Sequence, residues 1–213
     1  MLTEPDVALT DYVLAIECAV FACLIYYKGE PGRRLRTWFG LFFGSIGLAS
    51  FAGGTVHGFF LDQGTIGYAI LWPATLITIG LTAFAVWAIG ANLLFSPKIA
   101  RRISAVAALE FVAYCLAVLL VTQEFWIAVG TYLPAVIFLL IVLLLLYRRT
   151  RDRDFRIGIM GLALTLLAAV IQQAGISLHP TYFNHNALYH VIQAAALFMI
   201  FRLSWFLTVT RKI

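Results

Sequence analysis

Apolar runs of about twenty residues recur along the whole of this 213-residue chain. That is the length an α-helix needs to cross the ~30 Å hydrocarbon core of a bilayer. Few other folds remain open to such a chain, because backbone amides in lipid must be satisfied within the segment itself. Composition agrees: 62% of the residues are hydrophobic and 12% charged, whereas a soluble domain carries about 25% charged. The expected fold is all-α, a polytopic membrane protein in a single domain spanning residues 1–213. Seven helices are predicted, over 7–27, 37–60, 66–95, 102–122, 126–147, 155–177 and 186–208. The N-terminus, Met-Leu-Thr-Glu-Pro-Asp, lacks the basic region of a signal peptide, so the first run is expected to persist as a helix.

The net charge of +5 points to topology and away from nucleic acid. Lys28, Arg33, Arg34 and Arg36 follow helix one, and Lys98, Arg101 and Arg102 follow helix three. Arg148, Arg149, Arg151, Arg153 and Arg156 follow helix five, Arg202 lies near the end of helix seven, and Arg211 and Lys212 follow it. These are all fifteen basic residues. The alternate loops carry Glu4, Asp6, Asp62 and Glu124 instead. Such asymmetry predicts the N-terminus outside and the C-terminus inside. It fits an integral multi-pass protein of a bacterial inner membrane, or of a eukaryotic endomembrane or plasma membrane. Cys18, Cys23 and Cys115 fall within apolar runs, at spacings suited to packing and not to disulfides. Oligomeric state leaves no signature.

Ionisable side chains inside a bilayer cost at least ~2.5–3.5 kcal/mol each, so each calls for a reason. Helix one holds Asp11 and Glu17, helix two His57, helix four Glu110, helix six Gln172 and Gln173, and helix seven His190 and Gln193. His57, His190 and Asp11 are expected near the outer end at similar depth, with Asp62, His179, His185 and Asn186 at the rim. Glu17 and Glu110 lie deeper. At about 100° per residue, Asn186, His190 and Gln193 share a face of helix seven. His185 joins them only if it precedes the helix, in the Asn184-His185-Asn186 stretch that reads as an N-cap. Tyr68, Trp72, Trp126, Tyr132 and Tyr182 read as an interfacial aromatic belt, and Pro73 and Pro134 as kinks or helix starts.

Two imidazoles at matching depth suggest a metal. Zn²⁺ takes nitrogen and oxygen donors in a tetrahedron. His57 and His190 supply two ligands in this reading, and His185, or else His179 or Asp62, the third. A zinc-bound water ionises near neutrality, and Glu17, Asp11 or Asp62 then serves as general base. A site within the membrane restricts the substrate to a membrane lipid or another amphiphile. Two other readings of the same residues stay open. One is a non-catalytic sensor, transporter or assembly subunit that uses the polar His/Glu cluster. The other has His57 and His190 as axial haem ligands.

Seven helices, a histidine late in helix two and the stretch Asn186-Ala187-Leu188-Tyr189-His190 opening helix seven resemble the superfamily of alkaline ceramidases and adiponectin receptors. That superfamily opens its last helix with His-x-x-x-His, and here Asn186 stands in the first His position. Glu17 is similar to an acidic residue of helix one in ceramidases. The slot four residues before His57, a serine in the superfamily, is Gly53, with Ser50 one turn further in, and Asp62 is the candidate for its acidic residue near helix three. The resemblance implies a zinc-dependent lipid amide hydrolase, or a relative with an altered or lost site. Joined to the metal reading above, it gives an expected hydrolase of lipid amides or esters with Glu17 and Asp62 catalytic and His57, His185 and His190 on the metal.

Overall fold

The computed structural model describes residues 2–179 and 182–210. Seven helices follow one another: α1 (Pro5–Lys28), α2 (Arg34–Phe59), α3 (Ile66–Leu94), α4 (Pro97–Leu120), α5 (Phe125–Thr150), α6 (Arg153–Gln173) and α7 (His185–Trp205), the last continuing into a π-helical turn at Phe206–Thr210. Each is long and apolar enough to cross a membrane. Among the described residues extended pairing is limited to one isolated bridge, between His179 and Phe183.

Local chemistry explains the ends. Pro97 opens α4 five residues before the expected start, because a proline in the first turn loses no helical hydrogen bond. Asp152 caps α6 by accepting from the Asp154 amide at 2.9 Å, directly after Arg151 turns left-handed and ends α5. At its other end α6 stops at Gln173, four residues short of expectation, as Gly175 takes a positive φ of 67°. Pro73 and Pro134 lie inside α3 and α5 and start neither helix.

Six helices close into a ring in the order α1, α2, α3, α5, α6, α7 and back to α1, and α4 packs outside it against α3. In lipid such association rests on close packing and not on expulsion of water, so small residues sit at the tightest crossings. A side-chain carbon at Gly54 of α2 would come within 2.8 Å of Asp11 Cβ and 3.2 Å of the Ala8 carbonyl on α1. The main core, built around Phe21, Phe39, Phe42, Phe43, Leu143 and Leu197, fills the half of the ring near the loops after α1 and α5. The exposed surface is rich in large apolar side chains, among them Val13, Ile16, Leu109, Leu120 and Phe198, as a lipid-facing surface requires.

Alternation of the helices gathers the short connections after α1, α3 and α5 at one end of the bundle, together with their lysines and arginines. Arg211 and Lys212, assigned to the same end from sequence, lie outside the described residues. Of the cysteines, Cys18 is buried and Cys115 half-buried, while Cys23 is exposed and packs less than expected.

Candidate functional site

Opposite the basic end, the ring encloses a cavity of about 360 Å³ lined from all six of its helices. Its wall is largely apolar, with Leu14, Ile46, Ile79, Leu133 and Val136 among the lining residues. Buried polar side chains, Asp11, Ser50, Thr165 and Gln193 among them, are set into that wall, as in many ligand pockets.

Asp11 and His190 form the centre of this polar set. Asp11 is only 5% exposed, yet His190 Nε2 lies 3.3 Å from its Oδ1 and the Ser50 hydroxyl of α2 hydrogen-bonds to the same carboxyl group. His190 Nδ1 is 3.1 Å from Thr10 Oγ1. With its proton on Nε2, the imidazole donates to Asp11, while the single hydrogen of the Thr10 hydroxyl is shared between Nδ1 and the Asp6 carbonyl, 2.8 Å from Oγ1. Three helices therefore hold one buried carboxyl group. The close crossing at Gly54 makes this arrangement possible by seating α1 directly on α2.

Asn184 fixes the entry of α7. Its side chain accepts from the amides of Asn186 and Ala187 at 2.9 and 3.1 Å, the N-cap expected from sequence. Its own amide donates to Asp6 Oδ2 at 3.0 Å, tying the loop to α1. Asn186 turns into the cavity wall, where Gln172 Nε2 donates to its Oδ1 at 3.2 Å. Two turns deeper, Gln193 is 4% exposed. Its Nε2 donates to Thr165 Oγ1 at 3.4 Å, and its Oε1 is buried without a hydrogen-bond partner among the described residues. An orphaned buried acceptor costs ~1–3 kcal/mol, which a ligand donor inside the cavity would relieve.

His57 also lines the cavity, but its Nδ1 meets Glu4 Oε2 at 2.5 Å. The segment before α1 folds over the end of α2 there. The amides of Thr3 and Glu4 donate to the carbonyls of Gly58 and His57 at 3.0 and 3.2 Å.

The other sequence candidates lie elsewhere. His185 is the first residue of α7 and is not part of the cavity wall. His179 sits in the exposed loop before α7, with Nδ1 accepting the Tyr182 amide at 3.2 Å. Asp62 is an exposed turn residue whose Oδ1 accepts the Gly64 amide. Glu17 lies outside the lining, its Oε2 buried without a hydrogen-bond partner among the described residues. Glu110 is on the exposed face of α4. Two aromatic residues expected in an interfacial belt, Trp72 and Tyr132, instead line the cavity, while Trp126 and Tyr182 are exposed as expected.

The zinc centre implied by the resemblance needs three converging donors. Among the described residues no group of three His, Cys, Asp or Glu side chains is gathered to hold a metal ion. His57 is engaged by Glu4, His190 by Asp11 and Thr10, and His185 stands apart. This donor arrangement does not fit the expected three-histidine centre.

The fold and site define a bundle of seven membrane-length helices, six of which surround a largely apolar cavity with a buried polar pair in its wall. The chain belongs to a family of unknown function, DUF6962, whose model matches residues 7–204. No curated protein and no solved structure matches the chain.

Proposed function

We propose that this protein is a membrane-embedded, non-catalytic receptor or carrier for a lipid-like amphiphile with a neutral or basic head group. The observation that carries this reading is the buried Asp11–His190 pair on the wall of an otherwise largely apolar cavity. Among the described lining residues Asp11 is the acid, and there is no lysine or arginine. An anionic head group would therefore enter without a counter-charge and face a carboxyl group, at a cost that burial magnifies. A hydroxyl, amide or ammonium group instead finds acceptors at Asp11 and at the orphaned Gln193 Oε1. The apolar wall suits one hydrocarbon chain. In the orientation favoured by the basic loops, the N-terminus is outside and the cavity lies in the outer half of the membrane. Extraction and mass spectrometry of what co-purifies with the protein test this reading. A neutral or basic amphiphile is expected, retained by wild type and lost from Asp11→Asn; acidic amphiphiles alone would contradict it.

A second reading, zinc-dependent hydrolysis of the bound amphiphile, draws support from one observation: His57 and His190 line the same cavity. Metal analysis decides it. Zinc near one equivalent, lost in both His57→Ala and His190→Ala, is the result this reading requires.

A further inference from the structure

The basic end of the bundle carries a second, wider cleft of about 640 Å³, formed by α1, α2 and the loop between them. Tyr26, Tyr27, Arg33, Arg36 and Thr37 are among its polar lining residues, and Ala22 and Gly40 lie among its apolar ones. Gly40 keeps the cleft open: a side-chain carbon built there would meet nothing within 4 Å. Bare backbone at Gly40, with Ala22 and Leu41 also in the lining, leaves a short apolar trough in the same cleft as the arginines.

The two arginines differ in what holds them. Arg33 is committed to the fold. Its Nε pairs with Glu30 Oε2 at 2.6 Å, and its Nη1 donates to the Leu207 carbonyl at 3.0 Å, next to the π-helical turn. Arg36 lies over the Tyr26 ring, 4.9 Å from its centroid, and among the described residues it meets no carboxylate. Stacking orients a guanidinium plane and leaves its N–H edge available for bidentate hydrogen bonds. Thr37, exposed beside it, adds a hydroxyl, and exposed Lys28 and Arg34 raise the local positive potential.

A phosphodiester is recognised by a donor fork beside a hydroxyl, and an acyl chain by an apolar trough. Here the two are continuous, at the end of the bundle where basic residues gather, and basic pockets between membrane helices are a recognised place for lipid head groups. We propose that this cleft holds an anionic phospholipid, its phosphate on Arg36 and Thr37 and one acyl chain entering along the apolar trough at Gly40. This site is separate from the cavity and does not depend on the function proposed for it.

The test uses full-length protein in nanodiscs of mixed phosphatidylglycerol and phosphatidylcholine, released into a native mass spectrometer. Wild type is expected to retain phosphatidylglycerol as a discrete adduct in preference to phosphatidylcholine. Arg36→Gln is expected to lower that retention about tenfold, the worth of one charge-assisted hydrogen bond. Gly40→Leu keeps the net charge and meets no steric obstacle, yet fills the trough, and it is expected to lower retention as well. Arg102→Gln, in the basic cluster at the start of α4, is expected to leave it unchanged. Equal retention of the two lipids overturns the proposal. So does an unchanged adduct in Gly40→Leu, which would reduce the effect to surface charge, or a loss in Arg102→Gln as large as that in Arg36→Gln.

Discussion

His190 Nε2 lies 3.3 Å from Asp11 Oδ1, joining the last helix of the ring to the first at the wall of the cavity. Neither residue alone has an evident place in an apolar bundle. Together, with Ser50 and Thr10, they satisfy one another and leave one face of the polar set to the cavity.

The pair is expected to couple energetically. Asp11→Asn, His190→Gln and the double variant form a cycle that can be followed by unfolding in mild detergent. A coupling of about 1 kcal/mol is expected, the scale of interhelical polar contacts in bilayer proteins. Strict additivity would mean that the contact contributes nothing to closing the ring.

Gly54→Leu tests the seating of α1 on α2. The added carbon begins 2.8 Å from Asp11 Cβ with backbone just behind it, so α1 must move outward. A loss of about 1–3 kcal/mol in stability is expected, together with weaker amphiphile binding as Asp11 shifts. Gly40→Leu, built into open space, serves as the comparison and is expected to be at least as stable as wild type, since leucine is the better helix former.

Glu110 illustrates how much of the site was legible before the structure. A carboxylate deep in a predicted span reads as functional, yet its helix packs outside the ring and its side chain is exposed. Glu110→Leu is therefore expected to leave both amphiphile binding and the unfolding midpoint unchanged. A marked loss of either would give Glu110 a role that the ring does not.

The N-terminal segment offers a further test. Glu4→Ala removes the carboxylate from His57 and is expected to free the segment from the end of α2. Faster hydrogen exchange at the amides of residues 3 and 4 would report this, since these donate to Gly58 and His57. Unchanged protection would show that the backbone hydrogen bonds hold the segment without the side chain.

Hydropathy and the placement of lysine and arginine made the seven helices readable, because both follow from the solvent and not from tertiary contacts. The shared depth of His57 and His190 was equally readable, since residue count along a helix measures depth. Which groups pair was not. Asp11 meets His190 because α7 closes the ring onto α1, and Glu4 reaches His57 because the chain folds back over α2; nothing local to either residue announces these contacts. Trp72 and Tyr132 sit at depths that suit an interfacial belt, and only the rotation of α3 and α5 turns them into the cavity. His185 lies beside Asn186 in sequence, but the helix begins at His185 itself, so its side chain projects away from the face shared by Asn186 and His190.

The most direct measurement of the cavity's chemistry compares decylamine, 1-decanol and decanoate as ligands of the protein in nanodiscs, followed through the fluorescence of Trp72 in the cavity wall against a Trp72→Phe blank. Wild type is expected to bind the amine and the alcohol at least about tenfold more tightly than the carboxylate, and Asp11→Asn to lose most of the preference for the amine. Tighter binding of decanoate than of decylamine, or an amine affinity unaltered in Asp11→Asn, would contradict a cavity built around the Asp11–His190 pair.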